Sequence, residues 1–552
     1  MTSSKILTVL FIAFSLIACD SSQNQSNPEI SESELAEHIK TLASDEFGGR
    51  EPGTPGGEKT VEYISEQFQE AGLAPANNGS WYQEVPLVSI TLEPNTTVMV
   101  EGLGQPVTLQ HGDNTVVWTK RVTDQVALEN SELVFVGYGI VAPEYNWNDY
   151  EGLDVQGKTV VILVNDPGYA TQNPELFTGN KMTYYGRWTY KYEEAARQGA
   201  AGAIIIHETA PAGYPWEVVT GSWTGAQYDL VPPNNNMDRV KVEGWITHQF
   251  ANKLFQHIGM TYEEAKKAAL EDDFEPISLE ASISTTLNNT IKKTTSRNVA
   301  GVLEGSERPD ESVIYMAHWD HLGTNPNLEG DDKIYNGAVD NATGVAGLIE
   351  IAEKFAAREE QPERSVVFLA VTAEESGLLG SKYYANNPLY PLALTAGVIN
   401  MDAMNPNGMT KGLVVVGYGM NEMQGYLKKA AAEQGRIIVP EPTPEKGFYF
   451  RSDHFNFAKK GVPALYAEAG IDYVEGGKER GKKLQAEYIA ERYHKPADEY
   501  NADWDLSGMA ANLKLFYQIG NTLADSTVWP GWMEDVSFGT IRQKTAGMRK
   551  GD

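Results

Sequence analysis

The chain has 552 residues, a single cysteine, and 44 basic against 75 acidic residues, for a formal net charge of −31. The acidic excess argues against a nucleic-acid partner, because a phosphate backbone requires a basic face. One cysteine excludes an intramolecular disulfide and a multi-thiolate zinc site, so any metal site must be built from the nine histidines and the carboxylates. Hydrophobic residues at 41% are enough for sizeable cores, and the length suits roughly two to four domains.

In chain order, residues 1–18 read as a signal peptide. Lys5 precedes an apolar run from Ile6 to Ile17 that falls short of the about 20 residues a membrane-spanning helix needs. Leu16-Ile17-Ala18-Cys19 resembles the lipobox of bacterial lipoproteins, which implies lipidation of Cys19, membrane attachment, and a place in the bacterial cell envelope facing the periplasm or exterior. Residues 19–30 form a polar tether.

Amphipathic helices follow, one carrying Leu35, Ile39 and Leu42 and one carrying Val61, Ile64 and Phe68, with the Gly-rich loop Gly48–Gly57 between them. Short strands are predicted at Val98–Val100 and Val116–Trp118, and buried strands at Leu133–Val136 and Val160–Val164. A helix at Tyr190–Gln198 leads to a strand at Ala203–Ile206, and Thr261 with Glu264 forms a capping box at the next helix. Gly137-Tyr138-Gly139 reads as a turn, and Trp147 and Tyr150 as core.

From Asn298 the pattern alternates strand and helix. Strands are predicted at Val313–Ala317, Val366–Val371, Gly397–Met401, Leu413–Val416 and Ala464–Ala467. Helices are predicted at Gly344–Arg358, Leu378–Asn386, Glu422–Gln434 and Met509–Leu523, the last with Ser507 as a cap. The alternation implies an α/β fold with a mixed, largely parallel sheet flanked by helices. In such sheets, sites form beyond the carboxyl ends of the strands. Those ends deliver His318-Trp319-Asp320, Glu374-Glu375 and Asp402. A loop adds Asp340-Asn341, and a late segment adds His494. Each piece alone has a structural reading as a cap, a turn or a dipole-facing acidic pair. Together they suit two divalent cations, since buried like charges cost several kcal/mol each unless compensated. Ser452-Asp453-His454 is contiguous, so it reads as a helix start and not as a serine triad. His454 reads as structural or pocket-lining. Tyr449 and Arg451 are candidates for the pocket wall.

The stretches His318-x-Asp320, Gly337–Gly344, Ala373–Ser381, Asn400–Asp402 and His494 resemble the M28 metallopeptidases, as do Ser452–Phe457, Gly461–Ala464 and the Gly49-Arg50 loop. The resemblance implies a zinc-exopeptidase fold. Residues 31–114 and 286–525 would form the peptidase domain, with a smaller α/β protease-associated (PA) domain inserted at 115–285 and a C-terminal tail at 526–552. It implies two Zn2+ ions. Asp340 would bridge them, His318 and Asp402 would complete one ion's ligands, and Glu375 and His494 the other's. Glu374 would be the general base, and Asp320 would orient His318 through its second ring nitrogen. The activity implied is hydrolysis of peptide substrates, foremost as an aminopeptidase. The alternatives are a carboxypeptidase or dipeptidase, for which Arg451 offers a carboxylate partner, a glutaminyl-cyclase-type acyl transferase, and a non-catalytic receptor-like protein.

Overall fold

The structure is a computed structural model and describes residues 29–549 except 224, 272 and 535. The proposed signal peptide, Cys19 and most of the tether lie outside the described residues.

Two sheets share one long strand, Ile277–Leu303. Its C-terminal part pairs antiparallel with Tyr82–Leu92 on one side and with Arg364–Val371 on the other. From Arg364–Val371 the larger sheet runs on in parallel through Arg308–His318, Thr395–Asn400 and Ala464–Ala469. All eight residues of Arg364–Val371 and all six of Thr395–Asn400 are buried. Strands this apolar on both faces must be covered on both faces. Helices Thr343–Ala356 and Ser507–Ala524, with Glu32–Leu42 and Pro55–Glu70, bury their apolar stripes in one core with these strands. The opposite face packs against Leu379–Asn386 and His454–Ala458.

The N-terminal part of Ile277–Leu303 belongs to the smaller sheet. There it pairs antiparallel with Gln125–Phe135, from which Thr159–Leu163, Gly202–His207 and Val242–Thr247 follow in parallel. Thr97–Glu101 pairs with Ser282–Ser284 in this same sheet. The smaller unit therefore begins before residue 115, and the expected boundary at 285/286 falls inside an unbroken strand. A strand shared by two sheets carries no turn signal at the crossing, which is why the sequence pattern places the edge elsewhere.

The predicted strands and helices recur with ends shifted by a few residues, except that the strand expected at Leu133–Val136 begins eight residues earlier, at Gln125. The capping box at Thr261 and Glu264 is present. Gly137 and Gly139 both take positive φ, at 57° and 61°, as the turn requires. Ser507 is not a cap: it is the first residue of its helix and its hydroxyl donates to Asp505. The segment after residue 525 is no free tail. Trp529 is buried in the main core, and Arg542 is buried with Nη1 donating to the Thr395 carbonyl.

Candidate metal centre

Strand Arg308–His318 ends on His318, and the chain turns at once through Trp319 to Asp320 and His321, all four buried. Strand Arg364–Val371 leads to Glu374 and Glu375, and Thr395–Asn400 leads to Asp402. Parallel strands end on the same side of a sheet, so these groups meet without help from loop design. Asp340 comes from the irregular turn Ala338–Ala342 ahead of helix Thr343–Ala356, in which the Asp340–Asn341 peptide is cis.

That turn is pinned from both sides. Arg50, fully buried, donates to the carbonyls of Trp319, Leu42, Asn336 and Gly337 at 2.6–2.9 Å. Burial pushes its guanidinium down to about 10, and the charges of Asp340 and Asp498 hold it up against that pull. Asp498, fully buried, accepts the backbone N–H groups of Val339 and Asp340 at 3.0 and 3.1 Å. Gly49 cannot be replaced cheaply, because a Cβ there would stand 2.3 Å from the Gly323 carbonyl oxygen and φ is 69°. The Gly-rich loop noticed in the sequence is thus a clamp on the strand ends.

The side chains form two sets joined at Asp340. His318 Nε2 lies 3.3 Å from Asp340 Oδ1 and 3.3 Å from Asp402 Oδ1. His494 Nε2 lies 3.3 Å from Asp340 Oδ2 and 3.2 Å from Glu375 Oε2. Each set offers one imidazole nitrogen and two carboxylate oxygens, and one carboxylate turns an oxygen toward each set. His494 sits at φ 54° in the segment after helix Gly477–Glu487, with Tyr493 stacked on its ring at 4.0 Å. Its side chain is 37% exposed, whereas those of His318, Asp340 and Glu375 are 1%, 7% and 8% exposed.

Crowding of carboxylates has the expected electrostatic consequence. Burial, with Asp402 and Glu375 alongside, pushes the Glu374 carboxyl well above its usual range. Asp402 and Asp340 draw His318 well above the imidazole range against its burial. The donor set of nitrogen and oxygen atoms fits zinc or another borderline divalent ion, with two histidines and three carboxylates to share between two positions.

Asp320 has partners beyond His318. Its carboxylate accepts the backbone N–H of Glu374 at 3.0 Å and of Glu375 at 3.4 Å, so it orients the acidic pair. His318 Nδ1 stands 3.1 Å from the Asp320 backbone carbonyl and 3.8 Å from its carboxylate oxygen. Three further residues escaped the sequence reading. His321 Nδ1 contacts Glu375 Oε1 at 2.7 Å, and a second histidine three residues after His318 was the available signal. Asp498 lies four residues beyond His494, and that spacing was the available signal. Ser452 donates to Asp402 Oδ2 at 2.7 Å and accepts from Asn400 Nδ2 at 2.8 Å. The Ser452-Asp453-His454 run thus contributes a support for Asp402. His454 is buried between the rings of Tyr449 and Tyr466, and burial pushes it down to about 3, so it stays neutral.

A cleft of about 940 Å³ opens onto this centre. The larger unit lines it with Glu374, Glu375, His494 and Arg451, and the smaller unit with Trp188 and Arg187. Tyr449 is buried behind the wall.

Residues 298–517 match the model of peptidase family M28. A "probable zinc metalloprotease" of Pyrenophora teres f. teres is 38% identical over 105 residues, 19% of this chain and 22% of that protein. An "Aminopeptidase NAALADL1" of Mus musculus is 32% identical over 125 residues, 22% of this chain and 15% of that protein. The chain thus spans less than a quarter of the length of either curated relative. An aminopeptidase from Aneurinibacillus sp. strain AM-1 is 20% identical, covers 91% of this chain and 95% of its own, and superimposes with a TM-score of 0.50, a likeness of fold. Every residue of the cluster lies within the stretch 298–517 that matches this family model.

Proposed function

We propose that the protein is a zinc-dependent exopeptidase, foremost an aminopeptidase, that works with two ions sharing Asp340. The single observation that carries this reading is the pair of His-carboxylate sets joined at one buried aspartate, with a further glutamate beside them that neither set uses. His318, Asp340 and Asp402 would hold one ion, and His494, Asp340 and Glu375 the other. When bound, such ions supply a lowered water pKa and polarisation of the scissile carbonyl.

The chain's own residues supply the rest. Glu374 takes the proton of the attacking water, and burial suits it to this task by raising its proton affinity. It then delivers that proton to the leaving amine. Glu375 cannot share this work while its oxygens face His494 and His321. Asp320 fixes both glutamates through their backbone N–H groups. The smaller unit, read as a PA domain, walls the cleft and limits what can enter. Leu16–Cys19 supports attachment to a bacterial envelope membrane through lipidated Cys19; mass spectrometry of the mature N-terminus finding an unmodified or absent Cys19 would overturn that assignment.

The test is a panel of aminoacyl amides and N-acetylated counterparts, assayed with and without chelator. The reading predicts chelator-sensitive release from free N-termini and none from blocked ones. Equal release from both would exclude an aminopeptidase, and chelator-insensitive release would exclude metal catalysis.

A further inference from the structure

The wall of the cleft carries two arginines with no counter-ion, one from each unit. Arg187, from the turn before helix Trp188–Arg197, is 8% exposed. Its Nε has no hydrogen-bond partner, and no described carboxylate lies within ion-pair distance of its guanidinium. Arg451, at the end of the Phe448–Phe450 turn, donates once, from Nη2 to the Lys446 carbonyl at 2.7 Å, and its Nε is also unpartnered. The two side chains flank one short turn: Arg451 donates to Lys446, and Arg187 Cδ would stand 3.4 Å from a Cβ placed on the next residue, Gly447, with the Arg451 charge disfavouring that of Arg187. The ring of Tyr214 lies 5.7 Å from Arg451.

The other charges in this wall are differently placed. Asp229 has Lys120 and Lys382, Glu243 has Arg239, and Glu193 has Lys459 and Arg197. Arg187 from the smaller unit and Arg451 from the larger both line the cleft, and neither is in an ion pair with a described carboxylate. A buried cation without a partner is costly, and two together cost more, so the arrangement pays only if something anionic completes it. Guanidinium groups suit a carboxylate, which can accept two N–H groups at once. The same cleft holds Glu374, Glu375 and His494, and Arg451 lies near Tyr493, which stacks on His494.

We propose that Arg187 and Arg451 form a carboxylate-binding subsite of the cleft, so that the protein selects short peptides bearing a carboxylate beyond the scissile bond. This rests on the peptidase reading above. The carboxylate has two sources, a free C-terminus or an acidic side chain.

The test uses the full-length, zinc-loaded protein carrying Glu374→Gln to silence turnover, and calorimetric titration with three peptides. These are Ala-Ala-Ala, its C-terminal amide, and the amide of Ala-Ala-Glu. The free acid is expected to bind at least about tenfold more tightly than its amide. Recovery of that affinity by the Glu-containing amide assigns the subsite to any carboxylate, and no recovery restricts it to a C-terminus. Adding Arg187→Gln should collapse the acid-to-amide ratio toward one, and Arg187→Lys should keep part of it by retaining the charge. Because the result is a ratio within one protein, a general loss of affinity cancels. Arg451→Gln provides the same measurement if the first variant fails to fold. Equal binding of acid and amide overturns this inference alone. Binding of none of the peptides overturns it together with the peptidase reading.

Discussion

The two units bury charge in opposite ways. In the smaller unit, Asp149 accepts from the Ile140 N–H and Trp147 Nε1, and Asp166 accepts from Tyr169 N–H and from the N–H and hydroxyl of Thr183. Glu243 is met by Trp118 Nε1 and Arg239. Each carboxylate is satisfied by neighbours of its own unit, as buried polar groups must be. In the larger unit, Asp340, Glu374, Glu375 and Asp402 crowd together, and the imidazoles among them are the nearest compensation. Burial of a charge is therefore no sign of a site. A convergence of like charges with too few donors is.

That contrast can be broken most sharply at Asp340. Replacing it with Ala should abolish binding of both metals and cut turnover by about a thousandfold or more, because it serves both sets. Asp166→Ala in the other unit should cost about 1–3 kcal/mol of stability by orphaning Thr183 and Tyr169, with metal content unchanged. Metal analysis beside chemical denaturation separates the two, and equal metal loss in both variants would erase the distinction.

Glu374→Gln should retain bound metal and lose about 10²–10⁴ in kcat, the ordinary worth of a positioned general base. Metal analysis and steady-state kinetics on the same preparation check this, and wild-type kcat would remove Glu374 from the mechanism. Arg50→Met should weaken metal binding by about 10–100-fold, because four carbonyls lose the clamp that holds the Asp340 turn. Competitive titration against a chromophoric chelator reads that change, and unchanged affinity would mean that Asp498 alone sets the turn.

The smallest effect belongs to Glu350, buried in helix Thr343–Ala356. Burial pushes its carboxyl up to about 7, although the Ser31 N–H donates to it. A raised acid pKa means that the native state holds more protons than the unfolded chain between the ordinary glutamate range and about 7. Stability from this group therefore falls as pH rises through that window. Glu350→Gln should remove the penalty, so its melting temperature relative to wild type should rise by a few degrees between pH 5 and pH 8. A gap that stays constant with pH would deny the shift.

Much of this was legible in the sequence, for a physical reason. Parallel strands bury both faces, so their apolar runs are long, and the first polar residues after each run are placed by the sheet itself. His318, Glu374, Glu375 and Asp402 were found that way, and Asp340 and His494 by their motif context. What escaped depends on contacts across hundreds of residues. Arg50 reaches the carbonyls of Asn336 and Gly337, and Arg187 and Arg451 line one cleft although they lie far apart in sequence. Asp320 reads in the sequence as a support for His318, and its carboxylate stands 3.8 Å from that ring; its hold on Glu374 and Glu375 runs through backbone N–H groups, which have no sequence signature. The unit boundaries were missed because nothing in Ile277–Leu303 marks where one sheet ends and the next begins.

One buried aspartate, Asp340, joins the two proposed metal positions. Zinc content of the exhaustively dialysed, zinc-reconstituted protein tests it most directly, measured for wild type and Asp340→Ala on folded samples. The account predicts two equivalents per chain for the wild type and fewer than about 0.2 for the variant, a near-complete loss because both sets share the aspartate. One equivalent in the wild type, or one retained in the variant, would contradict it.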